Sequence, residues 1–215
     1  MNQLSFYLLI APPILFALTI HEYAHGWVAY RFGDPTAKQA GRLTLNPLAH
    51  LDPLGTILLF VARIGWAKPV PVNPYYFRDP RRDLLWVSLA GPASNLLAAF
   101  VFGLVCRALG VTSFYRVHPG PLGFLEFMLI FSVYINLILA VFNLIPVPPL
   151  DGSKILAGLL SRNAERAYEE YARYGAYALF GIILIEMVTG ARILWAVIGP
   201  FVRFFSVLFV GSPLA

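Results

Sequence analysis

The chain has 215 residues, 59% of them hydrophobic and 13% charged, with a mean hydropathy of +0.70. A soluble domain carries about a quarter charged residues, so this balance excludes an ordinary water-soluble globule and indicates an integral membrane protein. The net charge of +5 and the single cysteine, Cys106, exclude two further classes: the basic residues form no nucleic-acid patch, and no intrachain disulfide or cysteine-based zinc site is possible.

A helix needs about 20 mostly apolar residues to cross the hydrocarbon core. The first such run extends from Leu4 to Arg31 and is ended by Gly33-Asp34-Pro35. It has neither a basic leader nor a small-residue cleavage site, so it reads as mature structure rather than a signal peptide. Within it lies His21-Glu22-Tyr23-Ala24-His25. Positions i and i+4 share a helix face, so both imidazoles can reach one metal ion while Glu22 flanks them. Such groups are costly in hydrocarbon unless paired, metal-bound or facing water.

His50, in Asn46-Pro47-Leu48-Ala49-His50, is expected to hydrogen-bond within its own loop. Residues 53–64 are apolar but too few to span, and Asp52-Pro53 predicts an N-cap with proline at N1. Pro69, Pro71 and Pro74 forbid a regular helix and predict extended chain. Residues 53–77 are therefore expected to form a re-entrant extended or β element, which is tolerated at membrane depth only where protein or water surrounds it. Further spans are predicted from Leu84 to Leu109 and from Leu122 to Leu144, and two more between Tyr174 and Val210, broken near Thr189-Gly190-Ala191. His118 falls in the loop between the second and third spans and is expected to be simply solvated.

The fold class expected is thus an all-α polytopic bundle of about five transmembrane helices, forming one membrane-embedded domain over 1–215, with a core in 1–160 and C-terminal helices in 161–215. Charge sets its orientation. Eight lysines and arginines lie from Arg31 to Arg82, only Arg107 at the end of the second span and Arg116 lie between it and the third, and Lys154, Arg162, Arg166 and Arg173 follow the third. The positive-inside rule then places the N-terminus outside and both basic regions in the cytoplasm. The first and third spans run the same way, so His21, His25 and Asp151 are expected at one depth, towards the cytoplasmic side.

A catalytic zinc takes three protein ligands and keeps a position for water. His21 and His25 supply two, and Asp151, in Pro148-Pro149-Leu150-Asp151-Gly152, is the expected third. Its alternative is an N-cap for a helix starting near Ser153. Glu22 suits the general base. Asn95, about three turns inside the second span, and Asn143 are expected to contact substrate or an oxyanion. Asn136 reads as interhelical glue, and Gly91 as a residue that lets helices approach closely. The rival to a peptidase is a non-catalytic metal-binding or transport protein using the same histidines.

Four motifs now stand together: HEYAH at 21–25, NPLAHLDPLG at 46–55, GPASN at 91–95 and NLIPVPPLDG at 143–152. Their order and spacing resemble the site-2 protease family of intramembrane zinc metalloproteases, in its compact branch without a PDZ domain. The resemblance implies one zinc ion (Zn2+) per chain on His21, His25 and Asp151, Glu22 as base, and Asn95 and Asn143 as active-site contacts. It also implies a bacterial or archaeal cell membrane, and as substrates the transmembrane segments of membrane proteins or remnant signal peptides. With no appended regulatory domain expected, the partners are the substrate and the lipid bilayer, not nucleic acid.

Overall fold

The computed structural model describes residues 3–55, 65–114, 118 and 120–214. They fold into these helices: α1 (Gln3–Arg31), α2 (Thr36–Gln39), α3 (Pro80–Leu109), α4 (Pro121–Asn143), α5 (Asp151–Leu159), α6 (Arg162–Ala172), α7 (Gly175–Thr189) and α8 (Ile193–Val210). Four of these, α1, α3, α4 and α8, are long and apolar enough to cross a membrane. The polar α6 and apolar α7 meet at 47° and together would make a fifth. The protein is an all-α multi-pass membrane protein.

α3 begins earlier than its apolar run predicts. Asp79 caps it by accepting from the Arg82 amide at 3.2 Å, and Pro80 opens the first turn. The polar turn 80–83 prolongs the helix beyond its hydrophobic part, where hydropathy is blind to it. The break expected near residue 190 is present: Gly190 adopts φ 72°, which favours glycine, and ends α7.

α3 is the hub and packs against α1, α4, α5 and α8. Its C-terminal half forms the main apolar core with α4 and α8, around Ala99, Cys106, Ile130, Val133, Leu137, Val202 and Phe209. At Gly103 a Cβ would lie 2.8 Å from the Phe209 Cβ, so the absent side chain sets how closely α3 and α8 approach. Arg107 donates to the Val207 and Leu208 carbonyls and satisfies the end of α8. Beyond this core, apolar side chains such as Leu97, Leu104, Phe180, Leu184, Phe204 and Leu208 are exposed, as a lipid-facing surface requires.

Part of the expected re-entrant element lies outside the described residues, at 56–64. Its ends are visible. Asp52 caps a helical turn at 53–55 by accepting from the Gly55 amide at 2.8 Å. Leu51 and Ala67 form an isolated antiparallel bridge, and the Lys68 amide donates to the His50 carbonyl at 2.9 Å. Among the described residues this is the extent of β pairing. The prolines explain it, since each removes a ladder donor.

Residues 68–73 are instead fastened individually to the helical body. The Lys68 carbonyl accepts from Arg42 Nη2 at 2.5 Å, the Val70 amide donates to Glu22 Oε2 at 2.8 Å, and the Asn73 amide donates to Asp34 Oδ2 at 2.7 Å. Asp34 is fully buried. Its other oxygen accepts from the Thr36 amide and hydroxyl. Because Pro69 and Pro71 have no N–H, the only amide donors in 68–71 are those of Lys68 and Val70, and both are used inside the protein.

Candidate metal centre

The i, i+4 spacing in α1 stacks the two imidazoles on the face turned towards α3, where both are buried. Gly91 of α3 makes room for them: a Cβ there would lie 2.3 Å from His25 Nε2 and 2.6 Å from His21 Cε1. The sequence reads Gly91 as a helix-packing residue. The packing is real, but what it accommodates is a pair of histidine rings.

Asp151 arrives from the other direction. Leu144–Leu150 leave α4 through Pro146, Pro148 and Pro149, and Leu150 occupies the N-cap position of α5 without a side-chain bond. Asp151 is therefore the first helical residue, not the cap, and its carboxylate is free to point at α1. Gly152 permits the turn, since a Cβ there would lie 2.3 Å from the Leu144 carbonyl oxygen. Asp151 Oδ2 lies 3.1 Å from His21 Nε2 and 3.2 Å from His25 Nε2, and the two Nε2 atoms are 3.0 Å apart.

The imidazole tautomers follow from the far side of each ring. His25 Nδ1 is 2.6 Å from the Val87 carbonyl, which can only accept. His21 Nδ1 is 2.6 Å from Asn95 Oδ1. That amide is oriented by its other end, because Nδ2 donates to the Ala17 carbonyl at 2.9 Å and to Asn136 Oδ1 at 2.8 Å. Asn136 Nδ2 in turn donates to the Ser132 carbonyl at 2.8 Å. Both histidines thus carry the proton on Nδ1, and in the neutral rings both Nε2 lone pairs converge on one point.

Two lone pairs and a carboxylate oxygen converging at about 3 Å repel one another unless a cation or a proton lies between them. Asp151 Oδ2 is buried and lacks a properly formed hydrogen bond. A tetrahedral zinc with bonds of about 2.0–2.1 Å would separate its ligand atoms by about 3.3 Å. The observed 3.0–3.2 Å fits that group with little adjustment. Among the described residues these three form the one cluster of histidines and acids able to hold a metal.

A cavity opens over this triangle, lined by His21, Glu22, His25, Ser88, Asn143 and Asp151, with Lys154 and residues of the 69–72 segment at its edge. Glu22 and Asn143 thus line the same cavity as His21, His25 and Asp151. Asn143 Nδ2 donates to the Leu139 carbonyl at 3.0 Å, which leaves its oxygen unspent. Asn95 is different. It was expected to meet substrate, yet it is fully buried behind His21 with its amide used on three partners.

The other histidines lie away from the cavity. His50 donates through Nε2 to the Thr44 carbonyl at 2.8 Å, the local loop bond expected for it. His118 was expected to be only solvated, and its side chain is 67% exposed, but Nδ1 pairs with Glu126 Oε1 at 2.7 Å. Glu126 on α4 is the partner that reading missed, since an acidic residue eight positions on, in an apolar run, gives no pairing signal.

Comparison with known proteins adds a separate line of argument. Residues 120–186 match the model of Peptidase family M50. The chain is 40% identical to YwhC of Bacillus subtilis (strain 168), over 91% of this chain and 90% of that protein. It is 30% identical to Rip2 of Mycolicibacterium smegmatis, over 91% of this chain and 72% of that protein. Rip2 of Mycobacterium tuberculosis (strain H37Rv) is 32% identical, over 82% and 66% of the two chains. Each of the three carries a provisional zinc metalloprotease name. No solved structure matches the chain.

Proposed function

The chain belongs to peptidase family M50 and is a membrane zinc metalloprotease, and from that premise we propose that it hydrolyses peptide bonds within transmembrane segments or remnant signal peptides. The observation that supports this best is the meeting of His21, His25 and Asp151 within 3.2 Å of one another, beside spans rather than on a soluble domain. In this reading the three residues hold a single zinc ion per chain, and the whole of 1–215 acts as one membrane-embedded unit.

Zinc held there would supply a water activated near neutral pH and would polarise the scissile carbonyl. The remaining steps belong to the chain. Glu22 takes a proton from the attacking water as its oxygen bonds to the carbonyl carbon, and the C=O electron pair moves to oxygen. Glu22 then returns the proton to the amine as the C–N bond breaks. The Val70 amide, by donating to Glu22 Oε2, holds one carboxylate oxygen still while the other does this work. Asn95 orients His21 in this scheme rather than touching substrate, and Asn143, with an unspent oxygen at the cavity, keeps a substrate-contact role. The positive-inside rule puts the cavity towards the cytoplasmic side with the N-terminus outside.

The 68–74 segment receives substrate in an extended form, since a helical peptide bond is shielded by its own hydrogen bonds and must unwind first. The amides of Lys68 and Val70 are spent, so over 68–71 the segment offers substrate its carbonyls.

The test uses purified full-length protein in lipid discs, with zinc content and cleavage of a transmembrane peptide measured on the same samples. Wild type should contain about one zinc per chain and cleave. Glu22→Gln should retain the metal and lose turnover by a factor on the order of 10⁴. Equal turnover by both proteins would remove Glu22 from the chemistry.

A further inference from the structure

Most polar groups around the cavity are already committed. The Val70 amide serves Glu22, Asn95 serves His21, and the Asn143 amide serves Leu139. Ser88 and Lys154 are the exceptions: both line the cavity, and neither forms a hydrogen bond or ion pair with another described residue.

Their positions are specific. Ser88 is 1% exposed and follows Val87, whose carbonyl holds His25. It lies one turn before Gly91, which faces both imidazoles. Its hydroxyl has no hydrogen-bond partner among the described residues, and it borders a cavity where a partner can arrive. Lys154 lies three residues after Asp151 in α5 and so shares its helix face. It is the one lysine or arginine among the described lining residues, where the acids are Glu22 and Asp151. Among the described residues no acid pairs with it.

We propose that Lys154 Nζ, assisted by Ser88 Oγ, binds the substrate carbonyl oxygen as it takes on negative charge, which makes Lys154 a further catalytic residue. This rests on the hydrolytic reading above. In that reaction negative charge leaves the Glu22 carboxylate and appears on the substrate oxygen. A cation and a hydroxyl lining the same cavity as Glu22 favour that displacement most in the transition state. The ammonium provides the charge-assisted bond and the hydroxyl a second, neutral donor.

The experiment compares kcat and KM for a transmembrane peptide with zinc-loaded, full-length wild type, Lys154→Met, Lys154→Arg and Ser88→Ala. Lys154→Met should lower kcat about 10²–10³-fold with KM and zinc content unchanged. Lys154→Arg should recover most of that loss, and Ser88→Ala should cost about tenfold in kcat. Lys154 is exposed and without partners, so its substitution is not expected to unfold the protein. A Lys154→Met enzyme with wild-type kcat, one altered only in KM, or one that loses zinc would overturn the proposal. The parent reading fails separately: it falls if wild type and Glu22→Gln cleave alike, whereas an active wild type, an inert Glu22→Gln and an unaffected Lys154→Met remove this inference alone.

Discussion

At the scale of single residues, the amide of Asn95 shows how the chain separates chemistry from its support. Its oxygen is 2.6 Å from His21 Nδ1, and its nitrogen is tied to the Ala17 carbonyl and to Asn136. Such outer partners fix both the tautomer and the direction of a ligating ring. Asn95→Ala should therefore weaken zinc binding about 10–100-fold, with little change in kcat once the site is saturated; zinc titration of the purified variant against a competing chelator measures this. The histidines, Glu22 and Asp151 were legible because their spacing is itself chemical. Asn95 was legible only as a buried amide in need of partners, since its partner lies 74 residues away. Ser88 and Lys154 were not legible as residues of this cavity. A serine in an apolar helix reads as packing, and a lysine after a span reads as a topology signal.

At the scale of elements, the segment 68–73 matters as much as any helix. It is held at Lys68 by Arg42 and His50, at Val70 by Glu22 and at Asn73 by Asp34. Val70 is also buried, close against Gly26 of α1. Val70→Pro would remove the amide that steadies Glu22 without touching a metal-binding side chain. Turnover should fall on the order of 100-fold while zinc content stays near wild type, as paired kinetic and metal assays will show. The prolines made the non-helical course of this segment readable in advance. The anchoring was not readable, because it uses backbone amides and carbonyls, which carry no residue identity. The helices were read well where hydropathy governs them and less well at α3, whose polar first turn depends on the Asp79 cap.

At the scale of the whole molecule, the candidate metal-binding group of His21, His25 and Asp151 joins α1 to α5, two elements that α3 already holds together. A cation bound there adds a cross-link between distant parts of the chain. Stripping it with a chelator should abolish cleavage and lower the melting temperature in detergent. For a free-metal level about a hundredfold above Kd, linkage contributes about 2.7 kcal/mol, or about 5–10 °C for a chain of this size. Restored zinc should recover both. The common depth of His21, His25 and Asp151 was foreseeable from counting spans, because α1 and α4 run in the same direction. The contact of α3 with the rings through Gly91 was not foreseeable, since a missing side chain leaves no mark on hydropathy. Pro69 and Pro71 bear on solubility as well. Over 68–71 the chain has carbonyls but no uncommitted N–H, so the same stretch of a second copy could not pair with it there as a strand.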